Sequence, residues 1–374
     1  MNLSDYVDEF PVRDRFIYLN HAATGPLPRR AAEAMQRMAA DQMDAGGCNW
    51  PEWQDAVAGL RRAAAQLIGA SKSEIAITKN TSEGLSFIAN GLDWRPGDIV
   101  VGVKGEFPAN YFPWARLARL GVQLRWVELR DGCIDLDELD RASEGARLLA
   151  VSFVQYLGGF RLDLDAVGEI CKRRGCLFVV DAVQGLGPFP IDVKRSGIHA
   201  LSASGHKWLL GPEGCAIFYI DHDLMPSVEP KEFGWTNVQR FHAFSTEEKL
   251  RTDAGRYECG TLNTIGCFGL RASIELFLEV GVERIAERVL QLTDRVADLA
   301  TNRGFELAAR RRPSTASGII AFKKAGFDTQ ATAERLAANQ ISVSARHGYV
   351  RVAPHFYNTE DEIDRFFALL EPES

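Results

Sequence analysis

What the chain lacks narrows it before anything it contains does. None of its apolar runs approaches the roughly 20 residues that cross a bilayer. Its first twelve residues carry Asp5, Asp8 and Glu9 where a secretory leader would carry basic side chains. A membrane is therefore not expected as a partner, and the cytoplasm is the expected compartment. Excess positive charge is missing too. Forty-three Lys and Arg stand against 50 Asp and Glu, a formal net charge of -7, which argues against an electrostatic nucleic-acid footprint. The cluster Arg310, Arg311 and Arg312 reads as a solvated loop. The seven cysteines are an odd number without the short paired spacings of a zinc site. Reduced thiols and no metal are expected, with Cys176, Cys215 and Cys267 packed as small hydrophobes. Internal repeats and low-complexity segments are absent as well.

What remains has the balance of a globular enzyme, with 46% hydrophobic and 25% charged residues. At 374 residues the chain exceeds the size at which one core stops growing, so two lobes are expected. Short β-branched runs alternate with amphipathic helical patterns through the middle: "EIAIT" (74–78), "DIVVGV" (98–103), "QLRWVEL" (123–129), "RLLAVSFV" (147–154), "CLFVVDAV" (176–183), "HALSAS" (199–204) and "GCAIFYI" (214–220). This alternation predicts an α/β fold with a mainly parallel seven-stranded sheet covered by helices on both faces. Beyond about residue 250 the texture changes. One long helical pattern runs over 262–303 and closes at Gly304, followed by short strands, a helix over 329–339, the strands "ISVSAR" and "YVRVAP", and a final helix over 359–371. The expected division is a large lobe over 16–250 and a smaller α+β lobe formed by 1–15 and 251–374.

In an open parallel sheet ligands bind past the carboxyl ends of the strands, and four such ends carry unusual residues. Thr81 and Ser82 follow "EIAIT" at a helix start, where hydroxyls and the positive end of the helix dipole suit a phosphate. Phe107 follows "DIVVGV", where an aromatic ring could stack on a flat ligand. Asp181, with Gln184 three residues on, follows a run of buried residues, a costly place for a carboxylate without a positive partner. Ser204, His206 and Lys207 follow "HALSAS". An amine enclosed among apolar and positive neighbours loses basicity and becomes the nucleophile that a Schiff base requires. Lysine, carboxylate, aromatic and helix end together describe a seat for pyridoxal 5'-phosphate, PLP.

The element "SGHKWLLGPEG", with "FIYLNHAATGPLP" near the start and "VRVAPHFYNTEDEID" near the end, resembles the class V aminotransferases of PLP fold type I, the group that includes cysteine desulfurases and isopenicillin N epimerase. The resemblance spans nearly the whole length. It implies that Lys207 holds the internal aldimine and shuttles the α-proton, that Asp181 pairs with the pyridinium nitrogen, and that Gln184 meets the ring phenolate. It also implies phosphate contacts from Thr81, Ser82, Ser204 and His206, and one from Thr261 to the site of a neighbouring subunit, hence a homodimer with shared active sites. Arg351 matches the arginine that takes an amino-acid substrate's carboxylate.

Departures from the family pattern bear on the reaction. Phe107 stands where desulfurases carry a histidine. No cysteine lies between Thr329 and Arg351, where desulfurases present their persulfide-forming residue. Asn20-His21 and Tyr156 resemble the epimerase-like branch, and His21 is a candidate substrate contact. Arg346 and His347 point to a polar or anionic substrate tail, whereas Trp50, Trp53 and Phe107 would equally line an apolar slot. Transamination, β-elimination of a C–S bond and epimerisation all start from the same site. A PLP-fold module that binds a ligand without turnover is the reading from another class.

Overall fold

The computed structural model describes residues 3–243 and 249–370; Glu371, the last residue of the expected final helix, lies outside them. The seven strand runs assemble into one sheet: β1 (Ile75–Thr78), β2 (Ile99–Val103), β3 (Gln123–Val127), β4 (Leu148–Ser152), β5 (Leu177–Asp181), β6 (Ala200–Ser204) and β7 (Ala216–Ile220). Their spatial order is β1-β7-β6-β5-β4-β2-β3. Only β7 runs antiparallel, pairing with β1 on one side and β6 on the other. The segment 205–215 between β6 and β7 holds no helix. A parallel return needs a long crossover, so β7 can only come back antiparallel.

The strands are buried throughout because both faces are covered. The main helices are α1 (Arg29–Ala45), α2 (Trp50–Ile68), α3 (Thr81–Gly91), α4 (Leu164–Arg174), α5 (Thr264–Val280), α6 (Val282–Asn302), α7 (Thr329–Ala338) and α8 (Glu360–Ala368). Alternate strand residues serve opposite faces. Val151, Val180, Leu201 and Ile217 join α2 and α5 in one core. Ala150, Val179, Ala200 and Phe218 join Leu85 and Ile88 of α3 in another.

The single long helix expected over 262–303 is two helices. Gly281 breaks it with φ +91°, a conformation open to glycine and strained for other residues. A second, antiparallel sheet follows, built from β8 (Glu306–Leu307), β9 (Ile320–Lys323), β10 (Ser344–Arg346) and β11 (Tyr349–Val352) in the order β10-β11-β9-β8. The run "ISVSAR" is divided: Ile341–Ser342 pairs parallel with Ile17–Tyr18, and only Ser344–Arg346 enters the hairpin. His347 (φ +50°) and Gly348 (φ +78°) form its two-residue turn. Positive φ at both central positions matches the twist of the flanking strands. Ile320, Phe322, Val350, Val352 and Phe366 pack with Leu19 beneath this sheet, while α5 packs on α1 and α2.

Candidate active site

A cavity of about 380 Å³ opens past the carboxyl ends of β5 and β6 and beside the start of α3, a size that suits a small ligand. Asp181, Gln184, Ser204, His206, Lys207, Thr81, Ser82, Phe107, Tyr156, Arg346 and Arg351 all line it. Segments of the chain from Ala22 to Arg351 therefore meet here.

Helix α3 supplies the seat at one end. Asn80 caps it, its Oδ1 accepting the Glu83 N–H at 3.0 Å, which leaves Thr81 and Ser82 in the first turn. A Cβ on Gly84 would lie 2.4 Å from Ser202 Oγ, so glycine allows the helix start to press on the sheet. The two elements are then locked together. Thr81 N–H donates to Ser204 Oγ at 2.9 Å, Ser204 N–H donates to Thr81 Oγ1 at 3.0 Å, and the hydroxyl oxygens lie 2.9 Å apart.

Lys207 projects into the middle. Its Nζ lies 5.2 Å from the centroid of the Phe107 ring and has no hydrogen-bond or ion-pair partner among the described residues. Burial pushes the amine down to about 8, opposed by Asp181 and reinforced by Arg351 and Arg346. Asp181 is 2% exposed, and among the described residues its carboxylate accepts one hydrogen bond, at Oδ1 from the Val183 N–H at 3.0 Å. Burial raises this carboxyl to about 6 against the pull of the Val183 N–H and Lys207. Gln184 donates through Nε2 to Ala22 O at 3.0 Å and accepts from Trp208 Nε1 at 2.8 Å. An amide nitrogen carries two hydrogens, so one remains for a ligand. His206 is pushed down from its ordinary range by burial and by Lys207.

Arg351 comes from β11 and is 2% exposed. Nη1 donates to Tyr156 O at 2.8 Å and Nε to Ser344 Oγ at 3.3 Å. Nη2 is buried with no hydrogen-bond partner among the described residues. A buried, unmatched guanidinium N–H is expensive, and burial, then Arg346, lowers this group to about 10. Tyr156 meets the Phe107 ring edge-on at 5.4 Å, and its hydroxyl lies 3.1 Å from His347 Nε2.

Two of the candidates are not at this cavity. His21 is fully buried. Its Nδ1 lies 2.7 Å from Ala353 O and its Nε2 2.7 Å from the Tyr357 hydroxyl, while burial lowers it to about 4. Both nitrogens are committed to the fold, so His21 has none left for a substrate; its neighbours Ala22, Ala23 and Thr24 reach the cavity instead. Thr261 lines a separate cavity of about 180 Å³ with Lys79, Glu83 and Gly214. The tryptophan slot does not form either: Trp53 is buried with its Nε1 bonded to Asp41 at 2.6 Å, and Trp50 packs edge-on against His242.

Glu106 went unnoticed in the sequence. It is 7% exposed and accepts from the Ser152 N–H at 2.8 Å, from Gln155 Nε2 at 3.0 Å and from the Ser152 hydroxyl. Burial raises it to about 7, and the charge of Asp181 adds to the rise. The signal that marked Asp181, an acid at the carboxyl end of a buried strand, is present more weakly for Glu106, three residues past the end of β2.

The family model of the aminotransferases of class V matches residues 17–366. The chain belongs to that family. A probable cysteine desulfurase of Pyrococcus abyssi is 29% identical over 98% of this chain and 96% of its own length. The isopenicillin N epimerase of Streptomyces clavuligerus is 27% identical over 95% and 94%. The apo structure of a cysteine desulfurase from Thermococcus onnurineus NA1 superposes with a TM-score of 0.91 at 28% identity, covering 98% of this chain and 96% of that one. As a class V aminotransferase of PLP fold type I the chain is a PLP-dependent enzyme. Its cavity fits the cofactor: the Lys207 amine has no hydrogen-bond or ion-pair partner among the described residues, Asp181 is buried with spare acceptor capacity, and the interlocked Thr81 and Ser204 hydroxyls stand at a helix start.

Proposed function

We propose that this enzyme acts at the α-carbon of an α-amino acid, with Lys207 as the point of PLP attachment and as the group that moves the α-proton. One observation carries the reading: Arg351 is buried in the same cavity as Lys207 with Nη2 unmatched. A substrate carboxylate is the partner that would satisfy it, in the paired geometry a guanidinium favours.

PLP, when bound, supplies an electron sink for bond breaking at the α-carbon. The chain's own residues do the rest. Asp181 would supply the negative charge that keeps a ring nitrogen protonated, Gln184 would offer its remaining N–H to the cofactor, and Phe107 would pack on it. Thr81, Ser82, Ser204 and His206 take the phosphate. The Lys207 amine, lowered to about 8, gives and accepts a proton close to neutral pH, where proton transfer is most effective. Glu106 is a positioning residue that ties Ser152 and Gln155 to the segment bearing Phe107. In this reading residues 16–250 form the cofactor lobe, while 1–15 and 251–374 bring Arg351 and Arg346 to it. The protein works as a cytoplasmic homodimer, with Thr261 serving the neighbouring subunit's phosphate.

The hairpin ahead of Arg351 carries no cysteine, and no cysteine lines the cavity. That favours transamination, epimerisation or direct β-elimination of a C–S bond over sulfur transfer through a persulfide of this hairpin. Incubation of the PLP-loaded protein with a pooled amino-acid library, followed by assays for keto acid, for pyruvate with sulfide and for inverted chirality, separates these outcomes. Failure of every amino acid to perturb the visible band of the bound cofactor would overturn the reading. Spectral shifts without any product would instead identify a ligand-binding module.

A further inference from the structure

Charge in the cavity wall is unbalanced. Lys207, Arg346 and Arg351 face it against Asp181, and Glu106, on which the charge of Asp181 acts, is turned to Ser152 and Gln155. Arg351 has its role in the proposed function, but Arg346 does not. It is exposed at the cavity rim, has no ion-pair or hydrogen-bond partner among the described residues, and is near enough to act on the charges of Lys207 and Arg351.

The hairpin explains why the two guanidiniums serve one ligand. In its antiparallel register Ser344 faces Arg351 and Arg346 faces Tyr349. Side chains two apart share a face of a strand, so Arg346 and Arg351 are diagonal neighbours on one face, with backbones roughly 7–8 Å apart. The two-residue turn at His347 and Gly348 fixes that register.

We infer that Arg346 is the seat for a second anion, so that the substrate is an α-amino acid whose side chain ends in a compact acid. This deepens the proposed function and rests on Arg351 taking the α-carboxylate. It also decides between the two tails left open in the sequence: two cations on one face favour an acidic side chain over an apolar or aromatic one.

Calorimetric titration of the PLP-loaded protein with succinate and with butyrate tests it without turnover. The two probes differ in one carboxylate. Succinate is expected to bind at least about tenfold tighter than butyrate, the scale of one charge-assisted contact. Arg346→Ala should remove that advantage while shifting butyrate less than about twofold, and Arg346→Lys should restore part of it. Equal affinities in the native protein, or an equal loss for both probes in Arg346→Ala, would overturn the inference. Arg351→Ala should weaken both probes. If butyrate ignored that change, the α-carboxylate seat would fail on its own, because the succinate-to-butyrate ratio reports on Arg346 separately.

Discussion

Two polar clusters adjoin Trp208, a rear one in the core and a front one at the cavity, and they differ in one respect. In the rear cluster His21, His355 and Tyr357 are buried among aromatic rings, and their polar atoms meet one another or backbone: His21 bonds Ala353 and Tyr357, and His355 Nε2 lies 3.2 Å from Trp208 O. In the front cluster Lys207 and the Nη2 of Arg351 have no hydrogen-bond or ion-pair partner among the described residues, and the Asp181 carboxylate accepts there only through Oδ1. Burial perturbs both groups strongly. His21 is lowered to about 4 and Lys207 to about 8. A shifted pKa therefore does not by itself mark a site. What marks one is a perturbed group whose bonding capacity is left unspent next to a cavity.

Substitutions can break this comparison in order of effect. Lys207→Ala should reduce turnover by roughly 10²–10⁴-fold and abolish borohydride trapping of the cofactor, with a melting temperature close to that of the native protein. Arg351→Ala should cost about 2–4 kcal/mol in kcat/KM, measured by steady-state kinetics. Its urea stability should fall by less than that, because the unmatched buried donor leaves with the side chain while the Tyr156 carbonyl and the Ser344 hydroxyl each lose a partner.

The rear cluster should respond the opposite way. His21→Ala leaves the Tyr357 hydroxyl and the Ala353 carbonyl unpaired in the core, and should lower unfolding free energy by about 2–4 kcal/mol in urea titration. Turnover per folded molecule should change little. His21 also predicts a pH dependence. Its folded pKa, about 4, lies below its ordinary 6.5, so the unfolded chain binds the proton first and stability is lost as pH falls from about 6.5 to about 4.

The smallest effect sharpens the comparison at the front. Glu106 is raised from 4.5 to about 7. The folded apoprotein keeps that proton longer than the unfolded chain, so stability present below 4.5 is lost as pH rises through about 7. Asp181, raised from 3.8 to about 6, adds the same sign over a lower window. Glu106→Gln should flatten the stability profile between about pH 6 and 7, by about 1 kcal/mol, in urea midpoints measured across that range. A profile that kept its slope would remove Glu106 as the titrating group.

Much of the front cluster was legible because it follows strands. Asp181 and Ser204 end buried strands and Lys207 stands just past one, and the carboxyl end of a parallel strand is itself the signal. Glu106 carried the same signal more weakly and was masked by Phe107 beside it, whose ring suggested a role of its own. His21 was misplaced for a different reason. A histidine in an entry segment reads the same whether its nitrogens face a ligand or a carbonyl, and only the fold supplies Ala353 and Tyr357, more than 300 positions away. The break at Gly281 was hidden because the apolar period continues on both sides of it.

The sequence alone determined the seven strands, the site on their carboxyl ends and the chemistry of an amine set beside an acid, since each depends on short-range pattern and residue type. Tertiary structure decided which polar groups have partners. It also placed Arg346 and Arg351 on one face of a hairpin and took His21 out of the site. Those outcomes depend on register and on contacts between distant segments, and hydrogen-bond satisfaction is a property of the packed fold rather than of any stretch of it.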